Sequence, residues 1–159
     1  VTNINWQDCQ IFLKKLIDSN EKTKTYRLPS EIEWTYAASL LGTWNESPDF
    51  QKCLSMAWFN DNSGMQTHPV GKKNENPLGL YDMLGNVWEW CHDNFDNSTL
   101  INPDKATEFD ENSQVVVKGG SWMSEHNHCT PISRKGFYSW SKLHYIGLRI
   151  VLEGQPTFE

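Results

Sequence analysis

The densest run of chemically capable side chains is Ser121, Ser124, Glu125, His126, His128 and Cys129. Two imidazoles and a thiolate, from His126, His128 and Cys129, make an N/N/S donor set suited to zinc or copper. If the segment is a strand, however, alternation puts the two histidines on one face and Cys129 on the other. An exposed polar loop over a buried Cys129 accounts for the same residues, and both readings stand at this point. The four cysteines, Cys9, Cys53, Cys91 and Cys129, are far apart and form no C-x-x-C pair, which excludes a zinc knuckle or a thioredoxin motif. Buried thiols are the plain alternative. There is no G-x-S-x-G, P-loop or H-E-x-x-H pattern. His68 and His92 fall in or beside turn sequences, which points to structural roles. Arg27, Glu33, Glu89 and Arg149 sit inside aromatic segments. An unpaired buried charge is costly, so at least one carboxylate–guanidinium pair is expected among them.

The elements that must position these residues are polar and rich in rings. Eight Trp, five Tyr and seven Phe accompany a mean hydropathy of −0.63, which suits a loop-rich fold anchored by aromatics better than a Leu/Val-rich layered sheet. The net charge of −6 argues against nucleic acid as a partner. No apolar run approaches the length of a membrane span, and no signal peptide is visible. Two N-x-S/T sequons, at Asn45 and Asn97, carry little weight.

Two helices are signalled. Asn5 can cap the first, with Asp8 three residues on. Trp6, Cys9, Leu13, Leu16 and Ile17 then share a face beside Phe12, and Ile4 and Cys9 can staple the entry. Ser30 and Glu33 form a capping box for the second, after Pro29. Its inner face is Trp34, Ala37, Ala38 and Leu41, and Gly42 is a natural terminator. Beyond Gly42 helical periodicity disappears and turn signals take over. Val115–Val117 reads as a strand, and Ile146–Leu152 as a central one, apolar on both faces. Trp88 and Trp90 share a face if extended. Gly85, Gly119 and Gly120 mark positive φ or close backbone approach. The fold class is α+β: two helices, short antiparallel strands and much irregular loop.

Seven segments, in order, carry a family resemblance. They are Ile4-Asn5-Trp6-Gln7-Asp8, Tyr26 through Trp34, Thr67-His68-Pro69-Val70-Gly71, Asn76 through Met83, Gly85-Asn86-Val87-Trp88-Glu89-Trp90, Gly119-Gly120-Ser121-Trp122 and Ile146-Gly147-Leu148-Arg149. Together they resemble the formylglycine-generating enzyme and sulfatase-modifying-factor family, which has a C-type-lectin-like fold. The resemblance implies one such domain over residues 1–159, lacking the family's usual N-terminal portion, which a preceding segment or partner chain would supply.

It also implies site residues. A structural calcium would be held by the side chains of Asp82 and Glu89 with the carbonyls of Gly85 and Val87, a hard-oxygen set. The family's copper(I) is held by two cysteines just past its G-G-S-W motif. Ser121 matches the active-site serine and Cys129 the second cysteine, but Ser124 stands in place of the first. A hydroxyl cannot replace a thiolate on copper(I). The iron-dependent branch lacks its H-x-x-x-H-x-E signature here.

Three functions follow. In a non-catalytic binding module, a pseudoenzyme, a protein, peptide or glycan ligand would meet the stretch from Met123 to Tyr145, which diversified ligand-displaying relatives vary. Its anchors would be His126, His128, Arg134, Tyr138, Trp140 and His144. The calcium-lectin E-P-N or Q-P-D motif is missing. A copper-dependent oxidase converting cysteine to formylglycine would use Cys129, Ser121 and Ser124. A structural or regulatory domain of a larger secretion or signalling protein is the third. Relatives are often exported, so the resemblance implies an extracytoplasmic place.

Overall fold

The computed structural model describes residues 1–19, 24–39, 49–95 and 112–154. In chain order these form α1 (Trp6–Ser19), β1 (Thr25–Arg27), α2 (Glu31–Ser39), α3 (Phe50–Met56), β2 (Trp88–Asn94), β3 (Gln114–Lys118), a 3-10 turn (His126–His128), β4 (Arg134–Tyr138), β5 (Ile146–Leu148) and β6 (Val151–Glu153). No described helix is long and apolar enough to cross a membrane.

Both expected helix starts are built from their caps. Asn5 Oδ1 accepts from the Asp8 N–H at 2.7 Å, and Asp8 Oδ2 accepts from the Asn5 N–H at 3.1 Å, a reciprocal box. α1 then buries Cys9 and Leu13, while Phe12 is half exposed. At α2, Ser30 Oγ accepts from the Glu33 N–H at 3.2 Å and Glu33 Oε2 from the Ser30 N–H at 2.8 Å. Trp34 and Ala38 face inward, with Ala37 packed beside them. Leu41, Gly42, Asn45 and Asn97 lie outside the described residues.

A third helix corrects the expectation of two. α3 has two turns, is capped by Asp49 and buries only Cys53. One inward residue gives no periodic signal, which is why sequence patterning passes over it.

A four-stranded sheet runs in the order β4-β3-β2-β5, and β1 pairs β6 in a separate two-stranded ribbon. Pairing is antiparallel except for β2 with β5, which is parallel, so the strands are not all antiparallel as expected. Nor is Ile146–Leu152 one central strand. It divides into β5, at the edge of the larger sheet, and β6, in the ribbon. Only its first part is buried: Ile146 is fully buried, while Ile150 and Leu152 are exposed. The interior strands are β2 and β3; Trp90 and Cys91 on the first and Val115, Val116 and Val117 on the second are fully buried.

Alternation along β2 and β3 produces two cores. Trp88, Trp90, Val115 and Val117 pack with Cys9, Leu13, Leu28 and Ile146 on one face. Cys91 and Val116 pack with Trp34, Cys53, Phe59, Met83 and Cys129 on the other. At about 25 cal/mol per Å² of apolar surface, each buried indole contributes on the order of several kcal/mol, so Trp34, Trp88 and Trp90 anchor the sheet on both sides.

Candidate functional site

Ion pairs fix the frame of the site. Glu89 projects from β2 and accepts from Arg149 Nε at 2.8 Å, Arg149 Nη2 at 2.9 Å and Trp34 Nε1 at 2.7 Å. Burial pulls the Arg149 guanidinium down, but Glu89 and Asp82 outweigh it and hold it above its ordinary value. Arg27 grips Glu33 with two bonds of 2.6 Å, and this hydrogen bonding is the main reason the Glu33 carboxyl falls to about 2. The expectation of at least one pair among these four residues is met by two. A further network was not legible in the sequence. Glu31 accepts twice from Arg134, at 2.8 and 2.9 Å, and once from the buried Lys118 at 3.4 Å. Burial lowers the Lys118 ammonium, with Glu31 opposing.

The turn before β2 is held by backbone crossings. The Asn86 N–H donates to the Trp58 carbonyl at 2.7 Å and the Gly85 N–H to the Gly119 carbonyl at 2.8 Å. Gly85 has φ +70°, and a Cβ there would run into the Trp58 backbone, so no larger residue fits. His68 stacks on Trp58 at 3.7 Å, and its Nε2 lies 2.7 Å from the Ser63 carbonyl. A cavity of about 460 Å³ opens beside this turn, lined by Asp82, Asn86, Val87, Glu89 and Arg149 among others. Asp82 has φ +54°; its Oδ2 accepts from the Gly71 N–H at 2.7 Å, while its buried Oδ1 has no partner.

After β3 the chain turns tightly. The Ser121 N–H donates to Ser124 Oγ at 3.0 Å, and the two hydroxyl oxygens are 3.3 Å apart. Cys129 Sγ packs against the same turn. Gly120 has φ +82°, and a Cβ on it would stand 2.8 Å from that sulfur. Burial pushes the Cys129 thiol up to about 12, helped by the neighbouring Cys53 and opposed by the Ser121 N–H. Ser121, Ser124 and Cys129 thus converge. A cleft of about 330 Å³ lies in front, lined by Ser121, Ser124, Glu125, His128 and Lys135, with Trp88, Phe137 and Tyr145 as its aromatic walls. Lys135 Nζ sits 5.2 Å from the Trp88 ring centroid.

Residues 1–154 match the model of the sulfatase-modifying factor enzyme 1-like domain. The chain belongs to this family. It is 32% identical over 139 residues to the chaperone protein LppX of Paenibacillus barcinonensis, covering 72% of this chain and 45% of that protein. It is 28% identical over 158 residues to the formylglycine-generating enzyme of Mycobacterium tuberculosis, covering 80% of this chain and 51% of that one. The chain thus spans about half the length of these relatives. Treponema denticola variable protein 1 has the same fold, with a TM-score of 0.79 and 26% identity over 94% of this chain and 69% of that one.

The copper site that the family implies does not fit these residues. Where the resemblance implies one of its two soft donors stands the Ser124 hydroxyl, a hard ligand that cannot replace a thiolate on copper(I). The calcium site fits better. Asp82 lines the cavity, and its buried Oδ1 has no hydrogen-bond partner. Glu89 is more heavily committed, since Oε2 already accepts two bonds and Oε1 accepts one. One acceptor position on Oε1 is left.

The remaining expected ligand residues scatter. Residues 126–128 form a 3-10 turn instead of a strand. His126 packs edge-on to Phe50, at 5.3 Å, while His128 lines the cleft. The described residues contain no cluster of three or more metal-ligating side chains, so His126, His128 and Cys129 are not gathered into an N/N/S site. Arg134 is committed to Glu31. Tyr138 and Trp140 stack on each other, 5.2 Å apart and nearly parallel, and both are exposed. His144 is exposed, edge-on to Tyr145 at the cleft. Lys135, Phe137 and Tyr145, all within the expected Met123–Tyr145 stretch, wall one cleft; Lys135 and Phe137 are two apart on β4 and so share one face of that edge strand.

Proposed function

We propose that this chain is a non-catalytic binding domain on the formylglycine-generating-enzyme scaffold, taking a protein or peptide side chain in the cleft before Ser121. The observation that carries the reading is Ser124, a serine hydroxyl where the family resemblance implies a thiolate. The cleft supports it. Aromatic walls supply rigid apolar contact, and Glu125, His128 and Lys135 supply polar groups that orient a ligand. A glycan on the exposed Tyr138–Trp140 pair is the companion form of the same reading.

Calcium belongs to the reading as a structural ion, held by Asp82, the carbonyls of Gly85 and Val87, and the open position on Glu89. It would neutralise Asp82 and brace the turn that leads into β2. Titration of metal-stripped protein should release or absorb heat with calcium, and Asp82→Ala should abolish that signal. A flat titration of the unmodified chain would remove calcium from the account.

The second reading is a copper-dependent oxidase forming formylglycine, favoured by family membership and by the convergence of Ser121, Ser124 and Cys129. Competition for copper(I) against a chelator separates the two. The binding-domain reading predicts no more copper retained by the unmodified chain than by Cys129→Ser, and thiolate-level retention by Ser124→Cys. Stoichiometric, Cys129-dependent copper on the unmodified chain would overturn it.

A further inference from the structure

The four thiols are buried, but they are not equally isolated. Cys9 lies in the core on one face of the sheet. Cys91, on the other face, is surrounded by the charges of Asp93, Lys118, Glu31 and Glu89. Cys53 and Cys129 share a cluster and one anchoring atom. Cys53 Sγ is 3.9 Å from the His126 carbonyl oxygen, and the Cys129 N–H donates to that same oxygen at 3.1 Å. The proximity of Cys53 is also felt in the raised proton affinity of Cys129.

We propose that Cys53 and Cys129 form a disulfide when the chain folds in an oxidising solution, tying α3 to the 3-10 turn behind Ser121 and Ser124. The oxidant is a low-molecular-weight disulfide such as oxidised glutathione. A thiolate from one cysteine attacks it, forming a mixed disulfide and releasing one glutathione thiolate. The second cysteine, having lost its proton to water, attacks the protein sulfur of that mixed disulfide. This forms the S–S bond and releases the second glutathione. Two protein thiols lose two protons and two electrons, and one glutathione disulfide gains them.

Burial makes the timing specific. Thiols held protonated to about 11 and 12 exchange slowly in the folded state. The bond therefore closes during folding, or when α3, a seven-residue helix with one buried side chain, opens locally. A bridge over so long a stretch of chain restricts the unfolded state strongly, so the oxidised form melts higher. The inference is independent of what the cleft binds; it adds only that the bridge withdraws Cys129 from any metal.

The test is to refold the whole chain in a reduced/oxidised glutathione buffer, block free thiols under denaturing conditions, and map peptides without reduction. The expected result is one linked pair, Cys53 to Cys129, with Cys9 and Cys91 blocked, and a melting temperature that falls on reduction. In Cys53→Ser, Cys129 should be blocked as a free thiol and the reduction-dependent shift should vanish. Four blocked cysteines, or Cys129 joined to Cys9 or Cys91, would overturn the pairing. The mapping of the unmodified chain decides the matter even if Cys53→Ser does not fold.

Discussion

Replacing Glu89 with alanine should be the most damaging single change at the site. Its carboxylate holds three charge-assisted bonds: two to Arg149, at 2.8 and 2.9 Å, and one to Trp34 Nε1 at 2.7 Å. Without it, the indole N–H of Trp34 is left in the core of a residue only 1% exposed, and Arg149 loses its counter-charge. Breaking a buried pair from one side costs about 3–5 kcal/mol. Arg149 keeps its bond to the Tyr81 carbonyl, and its side chain is 27% exposed, so water offsets part of the loss. The expected cost is therefore near the lower end, about 3 kcal/mol, a large share of the ~5–15 kcal/mol that a domain has in total. Glu89→Gln keeps an acceptor for Trp34 and should cost about 1.5–3 kcal/mol. Adding Arg149→Met to Glu89→Ala removes the stranded cation, so the double variant should be more stable than the two single losses predict together. Urea unfolding with an unchanged slope is the assay. A loss under about 1 kcal/mol for Glu89→Ala, or strict additivity in the cycle, would refute the reasoning.

Other changes separate the remaining parts. Gly120→Ala puts a Cβ at φ +82°, 2.8 Å from Cys129 Sγ. It should cost at least about 1–2 kcal/mol in backbone strain before any packing loss, and Cys129→Ala in the same chain should recover the packing part in thermal melts. The Glu33 carboxyl is depressed in the folded state to about 2 from 4.5, so its contribution is fully present above pH 4.5 and is lost as pH falls toward 2. The pair is well exposed, so the effect stays below about 1 kcal/mol, and Glu33→Gln should flatten the acid limb of a stability-versus-pH curve by that much. Tyr138→Ala with Trp140→Ala should leave the melting temperature within a few degrees, because these rings stack on each other at the surface. A collapse of the fold would make them core and remove them from the binding surface.

Local chemistry in the sequence was readable where a few adjacent residues decide it. The boxes Asn5/Asp8 and Ser30/Glu33, the shared face of Trp88 and Trp90, and the positive-φ glycines all form as their neighbours dictate. Long-range pairing was not readable in this way. Glu31 meets Lys118 and Arg134, and Cys53 meets the 126–129 turn, only because the sheet brings distant segments together. Ile146–Leu152 misled because period alone cannot tell one central strand from two short ones in different sheets. α3 was missed because two turns with one inward residue carry no pattern. At the site, Ser121, Ser124 and Cys129 lie close together around one turn, while the scattered fates of His126, Arg134 and Tyr138 depend on tertiary partners.

The measurement that bears most directly on the binding-domain account is turnover. The unmodified chain and Ser124→Cys would each be incubated with copper(I), oxygen and a Cys-x-Pro-x-Arg peptide, and the peptide mass read for conversion of cysteine to formylglycine. The account predicts no product from the unmodified chain. Formylglycine produced by the unmodified chain and lost in Cys129→Ser would contradict it, and would make Cys129 a working ligand despite its burial and its serine neighbour.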